Sequence, residues 1–195
     1  MRTAVYSHTT MYVIGDLHLD HASIIDYCDR PFETVKEMNT TLIENWNSTV
    51  GPDDDLLFLG DLTVKSGVAA VYNRVEELNG TWTFIYGNHD TVAPPNIPEP
   101  AVCHHYQFTY HGIPFYAVHD PAEMPQNFRG WVLHGHHHNN HLDQFPFVHP
   151  SERRVNVSVE LVNYRPLHID DLIPHLQRMT HTETLPDTDR VVESD

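Results

Sequence analysis

The chain has 195 residues, enough for one domain with a real apolar core, and its 40% apolar and 10% aromatic content marks a globular class and excludes a disordered one. Acidic residues outnumber basic ones by 27 to 11, a formal net charge of −16, which argues against the basic, phosphate-gripping face of a nucleic-acid-chain binder. Lys36 and Lys65 are the only lysines, and so acidic a surface repels itself until salt screens it over about 3 Å at 1 M, so a salt-loving source is expected.

In chain order, residues 1–10 read as an irregular lead. The apolar run 11–14 stops at Gly15, which predicts a strand ending in a turn, with Asp16 and His18 just beyond it. A short helix is expected through Ile24 and Ile25, with His21 at its start. Arg30-Pro31-Phe32 then breaks the chain. From Glu33 to about Thr49, Val35, Met38, Leu42, Ile43 and Trp46 recur at three- and four-residue spacing, the signature of an amphipathic helix. Residues 56–59 (LLFL) predict a second, buried strand, ended by Gly60-Asp61. A helix over about 68–78 should turn Val68, Val71, Val75 and Leu78 inward, and Thr81–Tyr86 should be a third strand ended by Gly87-Asn88-His89-Asp90.

Residues 92–100 hold four prolines and read as an extended loop. Two strands, 102–110 and 113–118, follow, the second ended by His119. Trp131, Val132 and Leu133 begin a strand that runs into Gly135-His136-His137-His138. In an extended segment alternate side chains point to one side, so His136 and His138 are expected to face one point and His137 to face away. Residues 154–161 alternate, with Val155, Val157 and Val159 opposite Asn156, Ser158 and Glu160, which predicts a half-exposed strand. A strand end and a helix occupy 167–179, and the acidic tail from 180 to 195 is expected to be loosely ordered. No internal repeat or linker divides the chain, so one domain over 1–195 is expected. No run of 18 apolar residues predicts a membrane span, no leader pattern opens the chain, and Cys28 and Cys103 are too few for a disulfide framework. A cytoplasmic protein is the expectation.

Five apolar runs thus end in metal-ligand residue types: Asp16 and His18, Asp61, Asn88 and His89, His119, and His136 and His138. Ligands at strand ends are how layered α/β folds build sites. Their number exceeds the need of one ion and suits two divalent ions about 3.5–4 Å apart that share a carboxylate. Oxygen with imidazole and without thiolate favours manganese, iron, zinc, cobalt or nickel.

These motifs resemble the calcineurin-like metallophosphoesterases: GDLH at 15–18, GD at 60–61, GNHD at 87–90, the lone His119, and GHHH at 135–138, in that order. The resemblance implies an α/β fold, a two-sheet β-sandwich flanked by helices in four layers. It implies a binuclear phosphoesterase, manganese favoured, in which Asp16, His18 and His138 hold one metal, Asn88, His119 and His136 the other, and Asp61 bridges. It further implies that a water bridging the metals attacks phosphorus, while His89 acts as general acid and Asp90 orients it. Val64 stands where many members carry a second aspartate. The absence of the arginines of protein phosphatases beside these motifs argues against a phosphoprotein substrate. A small phosphodiester or nucleotide is expected, with 2′,3′-cyclic nucleotides or RNA 2′,3′-cyclic ends in view. A phosphomonoesterase and a catalytically silent scaffold are the alternatives, and the oligomeric state stays open. His104, His105, His111, His141, His149, His168, His175 and His181 read as surface residues, His134 and His137 as packed beside ligands, Arg30 and Arg129 as ion-pair formers, and Asn139 and Asn140 as rim residues.

Overall fold

A computed structural model describes residues 4–6, 11–95, 97 and 101–182. The elements are β1 (Ala4–Tyr6), β2 (Met11–Ile14), α1 (Ser23–Tyr27), α2 (Val35–Asn47), β3 (Asp55–Phe58), α3 (Val68–Glu76), β4 (Thr81–Ile85) and β5 (Val102–Cys103). The second half adds β6 (His105–Tyr110), β7 (Ile113–Val118), β8 (Trp131–His134), β9 (Val148–His149), β10 (Arg154–Asn156), β11 (Leu167–His168) and α4 (Ile169–Thr182).

Two mixed sheets share one core. The first has the order β11-β2-β3-β4-β5, with β2 to β5 parallel and β11 antiparallel at the edge. Leu56, Leu57, Phe58 and Leu59 are each 2% exposed or less, as a parallel strand covered on both faces requires. The second sheet has the order β1-β6-β7-β8-β10-β9. Its Phe108, Phe115, Trp131 and Leu133 join Val13, Leu57 and Phe84 of the first sheet in one buried cluster. Backbone bonds stitch the sheets where β2 ends: Gly15 N donates to Val157 O at 3.0 Å, and Val159 N donates to Gly15 O at 3.1 Å. The expected α/β sandwich with flanking helices is observed.

Helix α2 starts where Thr34 Oγ1 accepts the Glu37 N–H, an N-cap for an otherwise unpaired donor. Its apolar stripe buries Met38, Leu42 and Trp46. The Trp46 ring stacks on Trp82 of β4 with centroids 4.9 Å apart and meets Phe58 of β3, while its indole N–H donates to Asn79 O. In α3, Val71, Val75 and the following Leu78 are buried as expected, but Val68 sits at the exposed helix start.

Other differences have local causes. The lead is not wholly irregular: β1 adds to β6 as a parallel edge strand. The run 102–110 is two strands, because β5 pairs with β4 in the first sheet and β6 with β7 in the second, and the chain changes sheets at His104. The stretch 154–161 is a strand only to Asn156 and is not half-exposed. Val155, Val157 and Val159 are buried in the core, while Asn156 and Ser158 are buried against the histidine loop on the other side. Helix α4 continues through Thr182, past the expected start of the tail, whose residues 183–195 lie outside the described ones. No helix among the described residues is long and apolar enough to cross a membrane.

Replacing Trp46 by alanine removes an aromatic side chain that both packs and hydrogen-bonds, and should lower unfolding stability by about 3–5 kcal/mol. Val68→Ala, at a 54% exposed position, should stay within about 0.5 kcal/mol, and urea midpoints of the two variants compare them directly.

Candidate metal centre

Parallel pairing brings the ligands together. β2, β3 and β4 are neighbours running the same way, so the turns after them emerge on one edge. The first two turns continue the ladder, Asp16 N donating to Gly60 O and His18 N to Asp61 O, both at 2.9 Å. β7 and β8 are parallel as well, and they deliver His119 and the turn 135–138 from the second sheet.

The histidine turn is not the extended segment expected. β8 ends at His134, and the next residues bend with positive φ: 71° at His136 and 51° at His138. Asp16 (60°), His18 (50°) and Asp61 (60°) share this left-handed conformation. Five of the seven proposed ligands therefore hold a backbone state that costs of order 1–3 kcal/mol each and that clusters at functional sites. Aspartate and histidine tolerate it better than most residues. The convergence comes from these turns and not from strand alternation.

The side chains form two groups around Asp61. Its Oδ2 lies 3.3 Å from His18 Nε2 and 3.5 Å from His119 Nε2. Asp16, His18 and His138 each offer a ligand atom, all within 4.8 Å of one another, and so do Asp16, Asp61 and His119. On the second side, Asn88 Oδ1 is 3.0 Å from both His119 Nε2 and His136 Nδ1, and those nitrogens are 3.2 Å apart. His119 Nδ1 donates to Leu59 O at 2.7 Å, which leaves the Nε2 lone pair facing the group. Burial alone would raise the Asp61 carboxyl, yet the His18 contact, the His119 charge and the His89 N–H hold it down to about 2. Burial opposes the charged form of His119, but Asp16 and Asp61 lift its pKa above the usual range.

These residues fit a divalent cation. The donor set is carboxylate, amide oxygen and imidazole, and His18 Nε2 is buried with no hydrogen-bond partner while facing Asp61. Close packing fixes the carboxylates. A Cβ at Gly87 would overlap Asp61, and one at Gly135 would overlap Asp16, so both positions demand glycine.

All seven expected ligands meet here, with His89 beside them. Its exposed ring lies 5.0 Å from that of His18, near enough to His18 and Asp61 to complete a further ligand group. Asp90 does something other than orient His89: its Oδ2 accepts the N–H groups of Asp61 (2.7 Å) and Gly87 (2.8 Å), and its Oδ1 accepts that of Leu62 (3.1 Å). It ties the third turn to the second. Val64, at the departure from the family motif, is 38% exposed. His21 does more than begin a helix, because its Nδ1 is 3.2 Å from His18 Nδ1 and its ring lines the cleft above the centre. His141, read as a surface residue, lines that cleft too. Arg30 forms a buried ion pair with Glu160, and sequence reasoning had placed Glu160 on a solvent face. His134 is 1% exposed and His137 lies flat on Phe145 with centroids 3.4 Å apart, both packed as expected. Asn140 lines the cleft, and Asn139 donates to Cys28 O.

A sequence profile of the calcineurin-like phosphoesterases matches residues 9–185. The chain belongs to that family. An uncharacterized protein of Methanocaldococcus jannaschii is 41% identical over 180 residues, covering 91% of this chain and 97% of its own. Gene 66 protein of Mycobacterium phage L5 is 31% identical over 84 residues, 42% of this chain and 40% of that one. The crystal structure of a protein of unknown function from Aquifex aeolicus shares the fold, with a TM-score of 0.63 at 19% identity over 86% of this chain and all of that one. A calcineurin-like phosphoesterase with this buried Asp and His cluster is a candidate metal-dependent phosphoester hydrolase.

Burial pushes the His134 pKa from 6.5 down to about 4, against a weaker upward pull from its bond to Gly135 O. Between those values the unfolded chain takes up a proton that the folded chain refuses. The stability this neutral histidine contributes is therefore complete above pH 6.5 and is lost as pH falls toward 4. His134→Phe should flatten that limb by about 3 kcal/mol, read from urea midpoints at pH 7.5 and pH 4.5.

Proposed function

We propose that the chain hydrolyses phosphodiesters at this centre, with two divalent cations, manganese favoured, held by Asp16, His18 and His138 on one side and Asn88, His119 and His136 on the other, and Asp61 between them. The cleft above the centre supports a diester. It measures about 430 Å³, and the residues lining it include histidines, Asn88, Asn140, Ser23, Ile24 and Tyr27 but neither lysine nor arginine. A monoester dianion calls for fixed cations beyond the metals, whereas a diester carries a single negative charge and needs fewer. Tyr27 is 69% exposed on the wall of the cleft and offers a flat face to a base, which supports a nucleoside 2′,3′-cyclic phosphate or an RNA end of that kind.

When bound, the cations would supply Lewis acidity, polarising the phosphoryl oxygens and making water acidic enough to attack at neutral pH. The remaining work belongs to the chain. The Asp61 carboxylate holds the His89 backbone N–H at 2.9 Å, which fixes the residue whose ring stands over the cleft. His89 donates a proton to the departing alkoxide. His21, with its ring 6.3 Å from that of His89, helps to enclose the same region. Asn140 and Ser23 provide neutral polar groups for a sugar or ester arm.

Chelated protein reloaded with manganese should cleave bis-p-nitrophenyl phosphate and 2′,3′-cyclic mononucleotides faster than p-nitrophenyl phosphate. His89→Ala should keep the metal content and lose about 10²–10⁴ in kcat. A monoester cleaved faster than either diester would make the protein a phosphatase, and two bound ions without turnover of any ester would make it a scaffold.

A further inference from the structure

Glu160 and Arg30 lie beneath the metal centre, and no part of the proposed reaction uses them. Both side chains are buried: that of Arg30 is 0% exposed and that of Glu160 is 2% exposed. The guanidinium engages Glu160 Oε1 through Nε at 2.9 Å and Nη2 at 2.7 Å. Nη2 also donates to Asp16 O and Nη1 to Leu17 O in the first ligand turn, each at 2.8 Å, and Nη1 meets Met38 Sδ of α2 at 3.3 Å. On its other side Glu160 receives His138 Nδ1, at 3.1 Å from Oε1 and 3.2 Å from Oε2. A single planar cation thus ties the Asp16–His18 turn, from the first sheet, to the carboxylate that holds His138, from the second.

We propose that Arg30 and Glu160 are positioning residues that set metal affinity on the Asp16, His18 and His138 side of the centre, an inference that rests on those residues binding metal as proposed above. The Glu160 carboxylate accepts the proton at His138 Nδ1. That selects the tautomer whose Nε2 lone pair faces inward, where it lies 4.0 Å from Asp16 Oδ1. A carboxylate behind a ligating imidazole also makes the imidazole a better donor. Arginine is needed because three acceptors in different directions require its fork of donors, and an ammonium would supply a point charge only. Cys28, His138 and Glu160 are close enough to hold a cation of their own, but the guanidinium already occupies the cationic position beside Glu160. Asn88, His119 and His136 have none of these contacts to Arg30 or Glu160: His119 is held by Leu59 O and Asn88, and His136 by Asn88 and, through its backbone N–H, by the Asp16 carboxylate, so the second side meets the pair only through Asp16. The effect of the pair should therefore fall on one side of the centre.

The test is calorimetric titration of chelated full-length protein with manganese, comparing wild type, Glu160→Gln and the double variant Arg30→Met/Glu160→Gln. The double variant removes the ion pair whole, so no buried guanidinium is left unpaired if the single change fails to fold. Two classes of site are expected in wild type. In the folded variants one class should weaken by about 10–100-fold, the other should keep its affinity, and saturating manganese should restore kcat with KM unchanged. Equal affinities in wild type and folded variants would overturn the proposal, as would an equal loss in both classes, which is the mark of a merely structural pair. Wild-type protein that binds no manganese would instead overturn the metal reading itself.

Discussion

Buried negative charge is the constraint on which this structure turns. Asp16, Asp61 and Glu160 bring three carboxylates into the interior with side chains exposed by 2% or less. Taking an ionised carboxylate out of water is costly unless a partner of opposite charge or good hydrogen bonds come with it. Arg30 is the one buried guanidinium among the described residues, and it is committed to Glu160. Asp16 and Asp61 are left facing His18, His119 and His138, which compensate only when protonated. Without a cation, Asp16 and Asp61 pull His119 toward the charged state against burial, and at His138 a contact to Cys28, Glu160 and Asp16 outweigh burial and push the pKa up to about 11. A divalent ion would resolve the same imbalance while leaving each histidine neutral, the form in which imidazole ligates.

The turns make that concentration of charge possible. An extended strand end would send every second side chain away, and the left-handed residues return Asp16, His18, Asp61, His136 and His138 inward. Glycine beside them lets the backbones approach until Gly87 touches Asp61 and Gly135 touches Asp16. Asp90 then spends both carboxylate oxygens on three N–H groups of the second and third turns. Burial raises its pKa against the pull of those bonds. The parallel strands at the centre of the sandwich supply the framework and the turns supply the aim. The conformational cost of the turns is offset elsewhere, in a core where Trp46, Trp82, Phe58 and Phe84 form a continuous chain of aromatic contacts.

Much of this was legible in the sequence because the signals are local. Apolar runs followed by glycine and a ligand residue mark strand ends without any knowledge of the fold, and all seven candidate ligands do converge. The helix over Val35–Asn47 is visible in its three- and four-residue spacing and in Thr34. What was not legible depends on partners distant in the chain. Glu160 lies 130 residues from Arg30, and its alternation with Val159 reads equally well as a solvent face or as a second buried face. His21 sits one turn from His18, a spacing that a helix start explains without a site. The break at His104 depends on which sheet each half of 102–110 joins, and no residue there announces it. The left-handed turns follow from contacts between loops, so a strand model extended through His138 was the natural local reading and the wrong one.

The overall charge bears on the same chemistry from outside. A protein of net charge −16 repels phosphate esters at long range, and more so a dianion than a monoanion. The cleft adds no lysine or arginine to counter that field, so attraction has to arise at the centre itself, within a few ångströms. A site of this kind discriminates by charge before it discriminates by shape. Under the proposed reading it would favour esters whose second oxygen is already substituted, and recognition of the remaining arm would fall to neutral groups: the amide of Asn140, the hydroxyl of Ser23 and the exposed ring of Tyr27. The acidic surface and a cleft without lysine or arginine thus act in the same direction, and the proposed diester reading is consistent with both.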